Sequence, residues 1–117
     1  MLYAILCYND EATISQWSKE HDDAVMARHQ EVMRGLAQKG KLGPVARLQG
    51  TRTASTVREK AVFDGPFAET KEQLLGFYVV DCASLSEAQE IAKQFVEAPG
   101  CTEVRPVHSY FPGNPAS

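Results

Sequence analysis

A chain of 117 residues has the length of one domain, enough to take roughly two thirds of its unfolded surface out of water and to fold without disulfide or metal staples. With 44% hydrophobic and 23% charged residues it has the composition of an ordinary globular protein, which excludes intrinsic disorder. A formal net charge of -3 offers no positive field to a phosphate backbone or an anionic membrane, and no apolar run reaches the ~20 residues of a membrane helix, which sets nucleic acid and membrane aside as partners.

Residues 2–8 are apolar, rich in aromatics and bounded by Asn9 and Asp10, the pattern of a strand buried on at least one face. Asn9, Asp10 and Glu11 interrupt this opening before a secretory h-region can form, so a cytoplasmic location is expected. Over 22–39 the apolar residues Val25, Met26, Val32, Met33, Leu36 and Ala37 recur at helical spacing, with Arg28, Glu31, Arg34 and Gln38 on the opposite side. Gly40 supplies the stop.

Residues 42–48 read as a second strand bent or placed at an edge by Gly43 and Pro44, since proline cannot donate to a ladder. Residues 55–63 alternate as a strand, and 74–82 carry the strongest strand signal in the chain. Between them Asp64, Gly65, Pro66 and Phe67 have turn chemistry. Ser84 and Glu87 are spaced as a capping box, opening a helix with Leu85, Ala88, Ile91, Ala92 and Phe95 on one stripe and Pro99 and Gly100 at its end. A last strand is expected over 102–110, and a loose tail over 112–117.

The whole of 1–117 thus reads as a single α+β domain in the order strand, helix, strand, strand or hairpin, helix, strand. Helices on one face of an antiparallel sheet leave the other face bare, and apolar residues of both parities over 74–80 ask for cover there too. A homodimer packed sheet against sheet is the expected solution.

Few residues stand out as chemistry. His29 lies on the apolar stripe of the first long helix, so its ring faces the sheet, either as a core histidine satisfied by a carbonyl or as an acid or base. Asp64 is the turn residue its Asp-Gly context requires, or a carboxylate that orients His29. Lys71, beside Glu69 and Glu72, reads as part of a solvated loop; Lys71 or Arg105 would suit the carboxylate of a small acid, Arg105 the better through its planar fork. Tyr78, like Tyr3, is a core or cleft-wall aromatic whose hydroxyl reaches a partner. The three cysteines Cys7, Cys82 and Cys101 contain no Cys-x-x-Cys pair, and Cys7 and Cys82 read as small buried hydrophobes. His21 and His29 are about 80° out of register on a helix and His108 stands alone, so no metal set emerges, nor does any phosphate loop or cofactor motif.

Three stretches together, 53–58, 63–78 (FDGPFAETKEQLLGFY) and 103–107 (EVRPV), resemble the YCII-related family in its DGPF-domain branch. The hairpin before the signature is shorter here, with Glu59 and Lys60 in its place, and Gly43 and Pro44 replace a more regular strand. The resemblance implies a ferredoxin-like fold assembled as a dimeric α+β barrel with a cleft between sheet and helices. It also implies an active-site histidine on the first long helix, matched by His29 with Gly40 eleven residues on, acting with an aspartate, for which Asp64 is the acid of the signature. Relatives occur beside or fused to extracytoplasmic-function sigma factors. Two functions follow as expectations. One is a cofactor-free enzyme using His29 and Asp64 on a small polar organic substrate held by Arg105 or Lys71, with Tyr78 in the wall. The other is a non-catalytic ligand-binding or interaction module tied to sigma-factor-linked transcription control.

Overall fold

The computed structural model describes residues 1–114. β1 (Leu2–Asn9) alternates, burying Tyr3, Ile5 and Asn9 on one face. Asp10 then caps a one-turn helix that local patterning does not announce, α1 (Glu11–Ile14), its carboxylate accepting from the Ala12 N–H at 3.2 Å and the Thr13 hydroxyl at 2.9 Å. The long helix α2 (Lys19–Gln38) starts three residues before the expected position, because the Ser18 hydroxyl accepts from the His21 N–H at 3.1 Å and so satisfies a first-turn donor. It stops where expected, with Gly40 at φ 69°.

β2 (Leu42–Arg47) slips in register between Leu42 and Val45, around Pro44. After a short 3-10 turn (Thr51–Thr53), the segment read as one strand over 55–63 is instead a hairpin: β3 (Ser55–Arg58) pairs with β4 (Ala61–Asp64), the chain reversing at Glu59 with φ 49°. β5 (Gln73–Asp81) follows, then α3 (Leu85–Lys93) and β6 (Cys101–Pro106).

Two spans differ from expectation. α3 ends at Lys93 instead of running to Pro99, leaving residues 94–100 as a loop that still buries Phe95 in the core. β6 ends at Pro106, with 107–110 outside the strand. Ser84 caps α3 by accepting from the Glu87 N–H at 3.1 Å, but the reciprocal half of the box is given up: the Glu87 carboxylate pairs with Lys41 at 2.7 Å, tying α3 to the start of β2. Of the tail expected to be loose over 112–117, residues 115–117 lie outside the described part.

The main sheet is fully antiparallel in the order β2-β5-β1-β6, and β3-β4 form a separate two-stranded sheet. Each helix connection carries the chain over the same sheet face, an α+β arrangement consistent with the ferredoxin-like fold. The core lies between that face and α2 and α3: Tyr3, Ile5, Tyr78 and Val80 from the strands meet Leu36, Ala88, Ile91, Ala92 and Phe95. Burying Ile5 and Val80 completely stabilises the fold by about 1.5–3 kcal/mol each. The opposite parity, Leu2, Ala4 and Leu6 in β1 and Phe77 and Val79 in β5, forms the other sheet face, with no element of the same chain named in the core packed on it. No described helix is long and apolar enough to cross a membrane.

Candidate functional site

α2 crosses the sheet so that its Val25-Met26-His29-Met33 stripe stands over β5, β1 and β2 and encloses a cavity of about 180 Å³. Its walls are largely apolar, and one polar cluster is let into them. The His29 side chain is 11% exposed, with Nε2 2.9 Å from a Glu97 carboxylate oxygen and Nδ1 3.3 Å from the Tyr78 hydroxyl. The Phe95 ring meets the imidazole edge-on at 5.3 Å and stacks on Tyr78 at 3.8 Å and 15°, so the imidazole and its Tyr78 partner are both held by packing.

Glu97 is itself fixed from both ends. Its carboxylate pairs with the Arg28 guanidinium, one residue back along α2 from His29. Its backbone carbonyl accepts from Asn9 Nδ2 at 2.9 Å, while Asn9 Oδ1 accepts from the Asp10 N–H at 2.8 Å. Asn9 is 1% exposed, so it has no water to fall back on and its amide locks the loop onto the end of β1.

Burial above all, then the cations of Arg28 and Arg47, hold the His29 imidazole below its ordinary 6.5. The Glu97 carboxylate works the other way, but Arg28 shares its charge, and a neutral ring is the form that fits the network. In that form Nε2–H donates to Glu97 and the Nδ1 lone pair accepts from the Tyr78 O–H. Burial pushes the Tyr78 phenol up to about 12, with the Cys7 sulfur adding to the rise, so the hydroxyl keeps its proton at neutral pH. Cys7, also in the wall, is raised to about 11 by burial and then by Cys101, which leaves it a thiol and a poor nucleophile.

A family model for the YCII-related domain matches residues 1–110. The chain belongs to the YCII-related family. An uncharacterized protein of Rhizobium meliloti (strain 1021) is 56% identical to it over 120 aligned positions, with 97% of each chain covered.

This YCII-related protein brings only part of the expected site together. His29 and Tyr78 face one another across the cavity wall. Asp64 does not join them: it ends β4 in the separate hairpin, exposed, opposite Ser55, and the carboxylate at His29 is that of Glu97. Arg105 pairs in register with Ala4, whose neighbours Tyr3 and Ile5 face the helices, so the arginine stands on the other side of the sheet from His29. Lys71 is exposed in the loop between β4 and β5. Neither Lys71 nor Arg105 lines the cavity; the cation that does is Arg47, whose side chain reaches α2 at Met26 and Asp22.

Glu97, Asn9 and Arg47 escape sequence reasoning for separate reasons. Glu97 falls inside the stretch assigned to α3, Asn9 looks like a turn residue after a strand, and Arg47 sits in the weakest strand pattern. The Phe95-x-Glu97 spacing just before Pro99 is the one local sign that the helical stripe has ended and a carboxylate follows. Among the described residues no three His, Cys, Asp or Glu side chains converge as a metal site.

Proposed function

We propose that this protein binds a small organic molecule in the cavity beneath α2 and transfers a proton on it through His29, without a cofactor. The observation that carries the proposal is a buried imidazole whose two ring nitrogens lie 2.9 Å from the Glu97 carboxylate and 3.3 Å from the Tyr78 hydroxyl, at the wall of an apolar cavity. Glu97 takes the orienting role. It fixes the ring and stabilises the imidazolium formed when Nδ1 accepts a proton, either directly or through the Tyr78 hydroxyl, which passes its own proton to Nδ1 as it takes one from the ligand. Return of the proton to another atom of the same molecule gives an isomerisation; its delivery to a leaving group gives a lyase or hydrolytic step.

The test is incubation of the protein with a library of small organic acids, ketones and lactones, followed by NMR of the mixture. Conversion by the wild type, slowed roughly 10²–10⁴-fold in His29→Gln and retained in part in Tyr78→Phe, is the expected result. A compound that stabilises the fold yet is returned unchanged by the wild type under all conditions would sink the proton-transfer reading.

That outcome favours the second reading, a ligand-sensing module tied to a sigma factor. It is supported by the β3–β4 hairpin, which presents Val57, Val62 and Phe63, 66%, 69% and 51% exposed, as apolar surface for a partner. Membership of the DGPF-type branch, which residues 63–78 support, and a homodimer closing the second sheet face into an α+β barrel are part of this proposal.

A further inference from the structure

The cavity has a charge axis. At one end Glu97 is engaged by Arg28 and His29; at the other stands Arg47, the only lysine or arginine in the wall among the described residues. Arg47 is on edge strand β2, opposite Gly76 of β5, which is in turn opposite Cys7 of β1, the strand whose end Glu97 grips. Arg47 therefore comes to the wall from the β2 edge of the sheet, and Glu97 from the loop beside the end of β1.

Arg47 is also poorly matched. One guanidinium nitrogen touches the Met26 thioether at 3.1 Å, and the other is 3.8 Å from an Asp22 carboxylate oxygen, too long for a hydrogen bond. A fork of five N–H donors with these partners is open to a planar bidentate acceptor. Between the two ends the wall is Val25, Met26, Met33 and Phe95, with no further charge. Its volume of about 180 Å³ is close to that of an engineered apolar cavity, about 150 Å³, that takes up a benzene.

We propose that the cavity selects a monoanionic single-ring organic acid, its carboxylate on Arg47 and its ring against the apolar wall. Glu97 is already paired with Arg28 and His29 and offers no donor to an anion, whereas Arg47 does, so the carboxylate is held at Arg47 and the ring atoms remote from it meet His29 and Tyr78. The inference rests on the proton-transfer reading for what happens to the ligand, and not for what is bound.

The experiment titrates the full-length, isotope-labelled chain at neutral pH with benzoate, benzamide and acetate, reading dissociation constants from NMR shifts. Benzoate is expected to move the His29, Gly76 and Arg47 signals and to bind at least about tenfold tighter than benzamide or acetate. Arg47→Gln should erase the preference for benzoate over benzamide by weakening benzoate far more than benzamide, with Arg47→Lys between wild type and Arg47→Gln because it keeps the charge and loses the fork. Arg47 is 60% exposed in its side chain, so these variants retain the core. The preference should persist in His29→Gln, which separates this proposal from the catalytic one. Benzamide or acetate binding as tightly as benzoate, benzoate shifts confined to signals outside the cavity, or an undiminished preference in Arg47→Gln would each overturn it.

Discussion

His29 shows how one side chain turns packing into chemistry. Below its ordinary 6.5 the unfolded chain protonates this imidazole, while the folded chain, holding the ring buried and in the field of Arg28 and Arg47, takes the proton only at lower pH. Between those two values the unfolded state binds more protons, so stability rises with pH through that window. The contribution is complete above 6.5 and is lost as pH falls towards the folded value. Denaturant midpoints followed by circular dichroism should therefore decline below pH 6.5 in the wild type with a slope that His29→Gln lacks. The imidazole signal of His29 should titrate below 6.5, and an equal slope in both proteins, or a midpoint above 6.5, would show that Glu97 outweighs burial.

At the scale of elements, the site depends on how closely the 94–100 loop can approach β1. Gly100 makes that approach: a Cβ there would meet the Tyr8 carbonyl and the Asn9 side chain, 2.6 Å from its Cγ. Gly100→Ala must push the loop back, breaking the Asn9–Glu97 bond and loosening Glu97 from His29. A loss of roughly 1–3 kcal/mol in stability is expected, with a change in the His29 titration midpoint, while Gly35→Ala, where a Cβ meets nothing within 4 Å, should cause neither. Most elements are legible locally. The helical stripe, Gly40 and the Ser84 cap set α2 and α3 in place, whereas the early end of α3 is not legible because Phe95 continues the stripe while already outside the helix. That misreading hides Glu97.

For the molecule as a whole, the sheet carries α2 and α3 on one face and neither helix on the other. Leu6 and Phe77 are paired across β1 and β5 on that second face, where Val79 is buried and both of them are half-buried. The proposed dimer covers this face. Light scattering at micromolar concentration should give twice the mass of one chain, and Leu6→Glu should return a monomer with unchanged circular dichroism, since Leu6 is outside the core. A wild-type mass equal to one chain would remove the dimer from the proposal and leave the cavity, enclosed by one chain alone, intact.

The amino-acid order alone determined the cores of the main strands and of α2 and α3, and that His29 and Tyr78 face inward, because periodicity, caps and turn residues act over a few neighbours. Which carboxylate meets His29, and which cation shares its cavity, was decided by tertiary structure. Glu97 lies 68 residues from His29 and reaches it only because β6 returns beside β1 and pulls the preceding loop onto Asn9. Arg47 enters the wall, and Arg105 leaves it, through the side-chain alternation of strands whose register is set by pairing with β5 and β1.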